Sequence, residues 1–257
     1  MGSIEQIDQT TAATSTGTPA DTPAEPAAPT WDRAPYSVAY RASRERVTRL
    51  LQDRPDVGDH PIPACPDWTV RDILAHVVEI CRKVDSRTAQ VAPGEPLPPT
   101  EAPMAELLAL WARTNERAEP LIDGLAGLRP AILAMDVFTH EIDLHQALGA
   151  QVDADHPSYP GSLDLVVAGF SIAAGRRGLA GLRIETPGAE WTVGGGAPTA
   201  VLRGHRHDLY RSLTGRRTPA QIARLFRAGD PAPWLPAFTW GPFRAPAQPV
   251  EDLAAAG

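Results

Sequence analysis

The chain has 257 residues, of which 43% are hydrophobic and 21% are charged, and its formal net charge at pH 7 is −7. This composition is typical of a globular protein in water, and the length allows one large domain or two smaller ones. No apolar run approaches the roughly 18 residues of a membrane span, no secretory signal is visible, and two cysteines make no disulfide framework, so we expect a protein of the reducing cytoplasm.

Helical periodicity dominates the first half of the chain. Residues 1–29 are rich in Thr, Ala and Pro and predict a disordered tail. Thr69 and Asp72 have the spacing of a helix capping box. Apolar residues recur with helical spacing in four segments, which fall at about 31–52, 69–89, 103–125 and 129–148. We therefore predict an antiparallel four-helix bundle over residues 30–152.

The second half has a mixed pattern. A further helix is expected at about 162–177, followed by short strands at 182–186, 190–193 and 199–204, and then by two helical segments that begin near 205 and 219. The run 194–196 is Gly-Gly-Gly, which lacks the spacing of a phosphate-binding loop and predicts a hairpin turn. These elements indicate a small α+β domain over 155–245 and a flexible tail over 246–257, so the predicted fold class is α+β.

The segment 136–148, DVFTHEIDLHQAL, contains potential metal ligands. His140 and His145 are five residues apart, about 140° out of register on a helix, so they cannot bind one ion as the histidines of HExxH do. Glu141 and His145 are four residues apart and can share a face of the helix. His140 and Asp143 point elsewhere on the helix, and we expect them to be exposed.

A third ligand would have to come from another helix. His76 lies in mid-helix beside apolar residues, where its imidazole needs a partner. His76, Glu141 and His145 are thus the candidate ligands of a divalent metal. The spacing leaves two alternatives open, a core histidine bonded to a carbonyl or carboxylate and a simple surface pair of Glu141 with His145.

Two motifs add a family resemblance. The segments IPACPDWTVRDILAHVVE and DVFTHEIDLHQALG resemble the hallmarks of the mycothiol-dependent maleylpyruvate isomerase family, within the DinB-like metalloenzymes. The resemblance implies a DinB-like bundle, a sterol-carrier-like C-terminal domain, and metal ligation by His76, Glu141 and His145. Asp72, one turn before His76, could orient its imidazole or cap the helix.

The resemblance also implies a reaction. Zinc, or nickel or iron in its place, would activate mycothiol, the small thiol of actinobacteria, as a metal-bound thiolate that attacks an electrophilic small molecule. An isomerase and an S-transferase would share every candidate residue, so the sequence does not separate them. Arginines of the basic C-terminal half could hold an anionic group of the substrate, the candidates being Arg216, Arg217, Arg227 and Arg244.

Two other classes of function remain open from the sequence. One is a metal-stabilised protein that binds an apolar ligand without catalysis, which a fourth protein ligand on the metal would favour. The other is a regulatory protein whose basic segment meets an acidic partner or nucleic acid, although no nucleic-acid motif is present. The leading prediction excludes nucleic acid and membrane as partners.

Overall fold

The computed structural model describes residues 31–88 and 102–253. Its first part contains the four predicted helices, which are α1 (Tyr36–Leu51), α2 (Val70–Thr88), α3 (Met104–Ala118) and α4 (Arg129–Ala147). The predicted helix at 103–125 is shorter than expected, because Pro120 cannot donate a backbone hydrogen bond and the chain tightens into a 3-10 helix over Glu119–Gly124. The predicted tail over 1–29 lies outside the described residues.

A short hairpin precedes α2. Strands β1 (Pro61–Ile62) and β2 (Cys65–Thr69) pair in antiparallel fashion. The helix α2 begins directly after Thr69, whose hydroxyl accepts a hydrogen bond from the amide of Asp72. The carboxylate of Asp72 accepts hydrogen bonds from the amide and the hydroxyl of Thr69 in return, so the predicted capping box is present.

The second part packs a helix against a small sheet. Its elements are α5 (Ser158–Arg176), β3 (Ala180–Thr186), β4 (Ala189–Val193), β5 (Gly195–Arg203), α6 (Arg206–Leu213), α7 (Pro219–Ala223) and β6 (Phe226–Ala228), with a 3-10 helix at Leu235–Phe238. The strands lie in the order β4-β3-β5-β6. The predicted class α+β is thereby confirmed, and the helices of the first part fit the DinB-like fold.

The predicted hairpin turn at 194–196 is wrong. The strand β5 does not pair with β4; it lies on the other side of β3 and runs parallel to it. Gly194 has a positive φ of 81°, and a Cβ there would lie 2.2 Å from the carbonyl oxygen of Ala180. The glycines therefore let the chain cross closely over the start of β3, and Gly195 and Gly196 already belong to β5.

The helix α4 joins two hydrophobic cores. Leu133 and Val137 pack with α1, α2 and α3 in the first core, whereas Phe138 and Ile142 pack with α5, the sheet and α6 in the second. The helix α4 is therefore fixed by packing on two of its faces, and a rigid helix of this kind is suited to position the side chains of a functional site. No helix in the described ranges is long and apolar enough to cross a bilayer.

Candidate metal centre

Helices α2 and α4 bring three potential metal ligands together. His76 lies in α2, and Asp136 and His140 are one turn apart on α4. Nε2 of His76 is 3.2 Å from Oδ2 of Asp136, and Nε2 of His140 is 3.9 Å from Oδ1 of the same carboxylate. One ligand atom from each residue lies within 4.8 Å of the other two. Two imidazoles and one carboxylate at this spacing fit a divalent ion such as zinc or iron.

The cluster is open on one side. The side chains of His76 and Asp136 are each 28% exposed, whereas His140 is buried. The indole of Trp68, from β2, lies against both imidazoles, with ring centroids 5.1 Å from that of His76 and 5.6 Å from that of His140. Catalytic zinc sites use three protein ligands and keep one position for water or substrate, and the partial exposure of this cluster is compatible with such a position.

The carboxyl group of Asp136 is ionised at neutral pH. Burial by itself would raise its pKa, but the hydrogen bond with His76 and the charges of both imidazoles outweigh burial and lower the pKa from the usual 3.8. Ionised carboxylates and neutral imidazoles are the forms in which these side chains bind metals. The cluster is therefore ready to accept a cation without the loss of a carboxyl proton.

A second carboxylate, Asp143, lies behind His140. Nδ1 of His140 is 3.5 Å from Oδ2 of Asp143. Asp143 is fully buried, which opposes ionisation, yet Arg216 and Arg211 hold the pKa of its carboxyl well below 3.8. An ionised carboxylate beside Nδ1 favours the imidazole with its proton on that nitrogen, which leaves the lone pair of Nε2 facing Asp136. Metal-binding histidines commonly have such a partner.

Asp143 belongs to an ion-pair network that extends into α6. Arg216 donates to both oxygens of Asp143, from Nη2 at 2.7 Å and from Nε at 3.3 Å, and Arg211 donates to Oδ1 at 2.6 Å. The network continues through Arg211–Glu251, Arg217–Glu251 and Arg217–Asp208. It contains three arginines and three carboxylates, so its formal charges cancel. Arg216 and Arg217, expected to hold a substrate anion, are therefore neutralised inside the protein.

Cys65 lies at the edge of this network. Its Sγ is 3.8 Å from Oδ2 of Asp143 and 3.6 Å from Nη2 of Arg216. Burial and the carboxylate of Asp143 raise the pKa of the thiol to about 11, despite the opposing charge of Arg216. Cys65, His140 and Asp143 also lie within metal-binding distance of one another. Because both oxygens of Asp143 already accept hydrogen bonds from arginines, we interpret this second group as an electrostatic support for His140 and not as another metal site.

Glu141 and His145, the ligands expected from the sequence, lie elsewhere. The carboxylate of Glu141 is fully buried, 3.2 Å from Nε2 of His156 and 3.9 Å from Nε of Arg46. Nδ1 of His145 lies 2.8 Å from the backbone oxygen of Glu141. Among the described residues, no group of potential ligands combines either of them with His76. In the structure, His76 lies close to Asp136 and His140, and not close to Glu141 and His145.

The difference has a simple geometric cause. The helix α4 carries two acid–histidine pairs with the same four-residue spacing, Asp136 with His140 and Glu141 with His145. The pairs are five residues apart, about 140° around a helix, so only one of them can face α2. His140 and Asp143 were expected to be exposed and are in fact buried. The four-residue spacing of Asp136 and His140 could have identified this pair as a candidate. Only the packing of α4 against α2 shows which of the two pairs faces His76.

Asp72 has one of its two expected roles, and the arginine candidates Arg244 and Arg227 lie away from the cluster. The carboxylate of Asp72 is bonded to Thr69, so the capping role is the one that the structure shows. Arg244 is exposed and donates to the backbone oxygens of Gly241 and Phe243. Arg227, the fourth arginine candidate, is exposed on β6. None of these contacts involves the metal cluster.

Two of the cavities that adjoin α4 are large enough to hold a small molecule. One of about 480 Å³ has Asp136 in its wall and is otherwise mainly apolar. The other, of about 700 Å³, lies at the C-terminal end of α4 and is lined by His145, Tyr159, His205 and His207 among others. The smaller cavity shares Asp136 with the metal cluster, whereas the larger one shares no residue with it.

Comparison with known proteins gives one match. The family model described as the mycothiol maleylpyruvate isomerase N-terminal domain matches residues 40–177, slightly more than half of the chain. The match includes α2 and α4 and hence all three residues of the cluster. No curated protein and no solved structure matched the chain.

Proposed function

Because this chain belongs to the mycothiol maleylpyruvate isomerase N-terminal domain family, we propose that it is a thiol-dependent metalloenzyme of the isomerase or S-transferase type. Mycothiol is the proposed thiol, and an electrophilic small molecule is the proposed substrate. The observation that carries the proposal is the convergence of His76, Asp136 and His140 from two helices into one partly exposed cluster. We propose these three residues as the ligands of a divalent ion, most simply zinc.

The residues around the cluster would each contribute to binding and orientation. A divalent ion at this site supplies a positive charge that lowers the pKa of a bound thiol. His140 is oriented by Asp143 through Nδ1, and Asp143 is in turn held by Arg211 and Arg216. Trp68 lies against both imidazoles and would fix the orientation of their rings.

The chain's own thiols support the need for a thiol from solution. The pKa of Cys65 is raised to about 11, so this thiol is protonated at neutral pH. Cys81 is buried in the first core, where its Sγ lies 3.2 Å from Oδ1 of Asn115. Neither cysteine has the exposed, electropositive surroundings that are typical of a reactive thiolate.

A metal-stabilised binding protein without catalysis is the second candidate. The cavity of about 700 Å³ at the end of α4 favours it, because this cavity is large enough for a small molecule and is separate from the metal cluster. The two candidates differ in the expected fate of a thiol. An enzyme consumes mycothiol in the presence of an electrophile, whereas a binding protein leaves the thiol concentration unchanged.

The test compares two variants of cluster histidines with one control variant of a histidine outside the cluster. We expect one metal ion per chain in the wild type, and metal affinity at least tenfold lower in His76→Ala and His140→Ala, since each variant loses one of three ligands. His145→Ala removes a histidine of the same helix that is outside the cluster and should keep the metal. Metal content by elemental analysis and mycothiol consumption with an electrophile are the two measurements.

The opposite pattern would contradict the assignment. Metal retained in His140→Ala but lost in His145→Ala would return the site to the trio expected from the sequence. A wild-type protein that cannot be loaded with any divalent ion would rule out the metalloenzyme. One tightly held metal without thiol consumption for any electrophile would favour the binding protein instead.

A further inference from the structure

A third cavity, of about 270 Å³, is lined by residues from the C-terminal ends of α1 and α4. Basic side chains form most of its wall, which consists of Arg46, Arg49, Leu50, Arg54 and His145. No carboxylate is among these lining residues, and the cavity shares no residue with the metal cluster. A cavity lined by three guanidinium groups and an imidazole is electrostatically suited to an anion.

Two packed helices bring these basic side chains together. Arg46, Arg49 and Leu50 have the i, i+3, i+4 spacing of one helix face. Arg54 lies just beyond the end of α1, and His145 belongs to the last turn of α4. The helices α1 and α4 contact each other, so residues that are far apart in the sequence line one cavity.

Two of the arginines carry positive charge that no carboxylate in the described ranges balances. Arg46 is left out of this count, because it forms an ion pair with Asp153 and its Nε is 3.9 Å from Oε1 of the buried Glu141. Arg49 and Arg54 are exposed and form no ion pair with any described residue. These two side chains therefore give the cavity a net positive charge.

Ion pairing and helix capping are the simpler roles for such arginines. Asp53 and Asp56 flank Arg54 in the sequence, yet neither lines the cavity or forms an ion pair in the described part of the chain. A cation in the last turn of a helix interacts favourably with the carbonyl end of that helix, as Arg49 does on α1. This effect acts on each helix end separately, so it does not account for basic side chains from two helices around one cavity.

The imidazole of His145 adds a buried polar group without a full set of partners. The residue is only 7% exposed, and its Nδ1 lies 2.8 Å from the backbone oxygen of Glu141. A carbonyl oxygen only accepts hydrogen bonds, so Nδ1 carries a proton. The other ring nitrogen, Nε2, makes no hydrogen bond within the described ranges. A buried nitrogen in a cavity wall that lacks a partner is a suitable contact for an oxygen atom of a ligand.

From these observations we propose that this cavity binds a phosphate group, either as inorganic phosphate or as part of a small phosphorylated compound. The charge of a phosphate group approaches −2 at neutral pH, which matches the two unbalanced charges of Arg49 and Arg54. Its tetrahedral oxygens can be contacted from α1 and from His145 of α4 at the same time. The volume of about 270 Å³ suits a group of this size. The site is independent of the proposed metalloenzyme.

Calorimetric titration of the full, metal-loaded chain with inorganic phosphate at constant ionic strength tests the site. We expect one phosphate per chain, and binding at least tenfold weaker in the double variant Arg49→Gln/Arg54→Gln, which removes both unbalanced charges. Arg176→Gln/Arg177→Gln is the matched control and should bind phosphate as the wild type does. It also removes two exposed arginines at the C-terminal end of a helix, α5, and neither of them lines the cavity.

Three further titrations test the contact with His145 and the chemistry of the ligand. His145→Ala should weaken phosphate binding by about 3- to 10-fold, because one hydrogen bond is lost. Acetate has one charge and should bind at least tenfold more weakly than phosphate. Phenyl phosphate distinguishes the two sources of the group. Binding at least as tight as that of inorganic phosphate would identify a phosphorylated compound, and binding of inorganic phosphate alone would identify the free ion.

The proposal fails if phosphate does not bind, or if the two double variants bind it equally well, which would place the phosphate at the metal cluster or elsewhere. Acetate that binds as tightly as phosphate would indicate a carboxylate site and would overturn the proposal too. The titrations contain no thiol and measure no turnover, so their outcome does not depend on whether the chain is the proposed enzyme.

Discussion

Asp143 connects the candidate metal cluster to the buried ion pairs, and its removal should affect both. It faces Nδ1 of His140 at 3.5 Å and accepts hydrogen bonds from Arg211 and Arg216. We expect Asp143→Asn to weaken metal binding by about 10- to 100-fold, because a neutral amide no longer favours the required tautomer of His140. Competition with a metal-binding dye measures this affinity.

Asp143→Asn also removes the buried negative charge that Arg211 and Arg216 share, so the free energy of unfolding should be lower as well. Arg216→Lys separates the two effects, because lysine keeps the positive charge beside Asp143 but loses the two-pronged hydrogen bond. We expect Arg216→Lys to bind metal more tightly than Asp143→Asn does. Equal metal affinities in Asp143→Asn and the wild type would show that Asp143 has a structural role only.

At the residue scale, the sequence predicted the types of ligand in the site but not all of the residues that supply them. The pattern of an acid and a histidine four residues apart on one helix, with His76 on another, indicated a cluster of two imidazoles and one carboxylate, and the structure contains such a cluster. The choice between Asp136 with His140 and Glu141 with His145 depends on which face of α4 meets α2. Local spacing is identical for the two pairs, so this choice required tertiary packing.

At the scale of single elements, the start of α2 allows a separate test of Asp72. Thr69 and Asp72 form a reciprocal capping box, and we expect Thr69→Ala and Asp72→Ala each to lower the free energy of unfolding by about 1 kcal/mol. Metal affinity should stay unchanged, since the carboxylate of Asp72 is bonded to Thr69. Urea denaturation and metal titration measure the two quantities.

Asp67→Ala is the control for these variants, because Asp67 is an exposed carboxylate in the adjoining strand β2. It should alter neither stability nor metal affinity. A selective loss of metal affinity in Asp72→Ala, beyond that of Thr69→Ala, would instead support the role of orienting His76 that the sequence had suggested.

The helices and three of the strands were predictable as elements, whereas the pairing of the strands was not. Apolar periodicity and the capping box at Thr69 are local signals, and they located α2 and α4 to within about two residues. Strand pairing is non-local. The run 194–196 has the composition of a turn, yet it leads into a strand that pairs in parallel with β3, which no local pattern indicates.

At the scale of the whole molecule, the C-terminal segment forms hydrogen bonds with both parts of the chain. Residues 246–257 were predicted to be a flexible tail, and the last four of them lie outside the described residues. The carbonyl oxygen of Val250 accepts a hydrogen bond from Gln146 of α4, and that of Glu251 accepts one from Gln221 of α7. The composition of this segment gave no sign of these contacts, because the segment makes both of them through backbone oxygens.

The carboxylate of Glu251 should make stability depend on pH. Burial alone would raise its pKa, but His207, Arg211 and Arg217 outweigh burial and hold the pKa of Glu251 far below its usual 4.5. A carboxyl whose pKa is depressed in the folded protein stabilises the fold fully above the unfolded-state pKa. This stabilisation is therefore present above about pH 4.5 and is lost as the pH falls from there towards the folded-state pKa.

Glu251→Gln tests this dependence. At pH 7 we expect the substitution to lower the free energy of unfolding by about 2 kcal/mol, because Arg211 and Arg217 lose a charged acceptor that they share. As the pH falls from 6 to 3, the difference between variant and wild type should shrink, since the wild-type carboxylate becomes protonated in the unfolded state first. Glu190→Gln, at an exposed position of β4, should behave as the wild type throughout. Urea denaturation at each pH gives the comparison, and a difference that stays constant with pH would show that Glu251 stabilises through its hydrogen bonds alone.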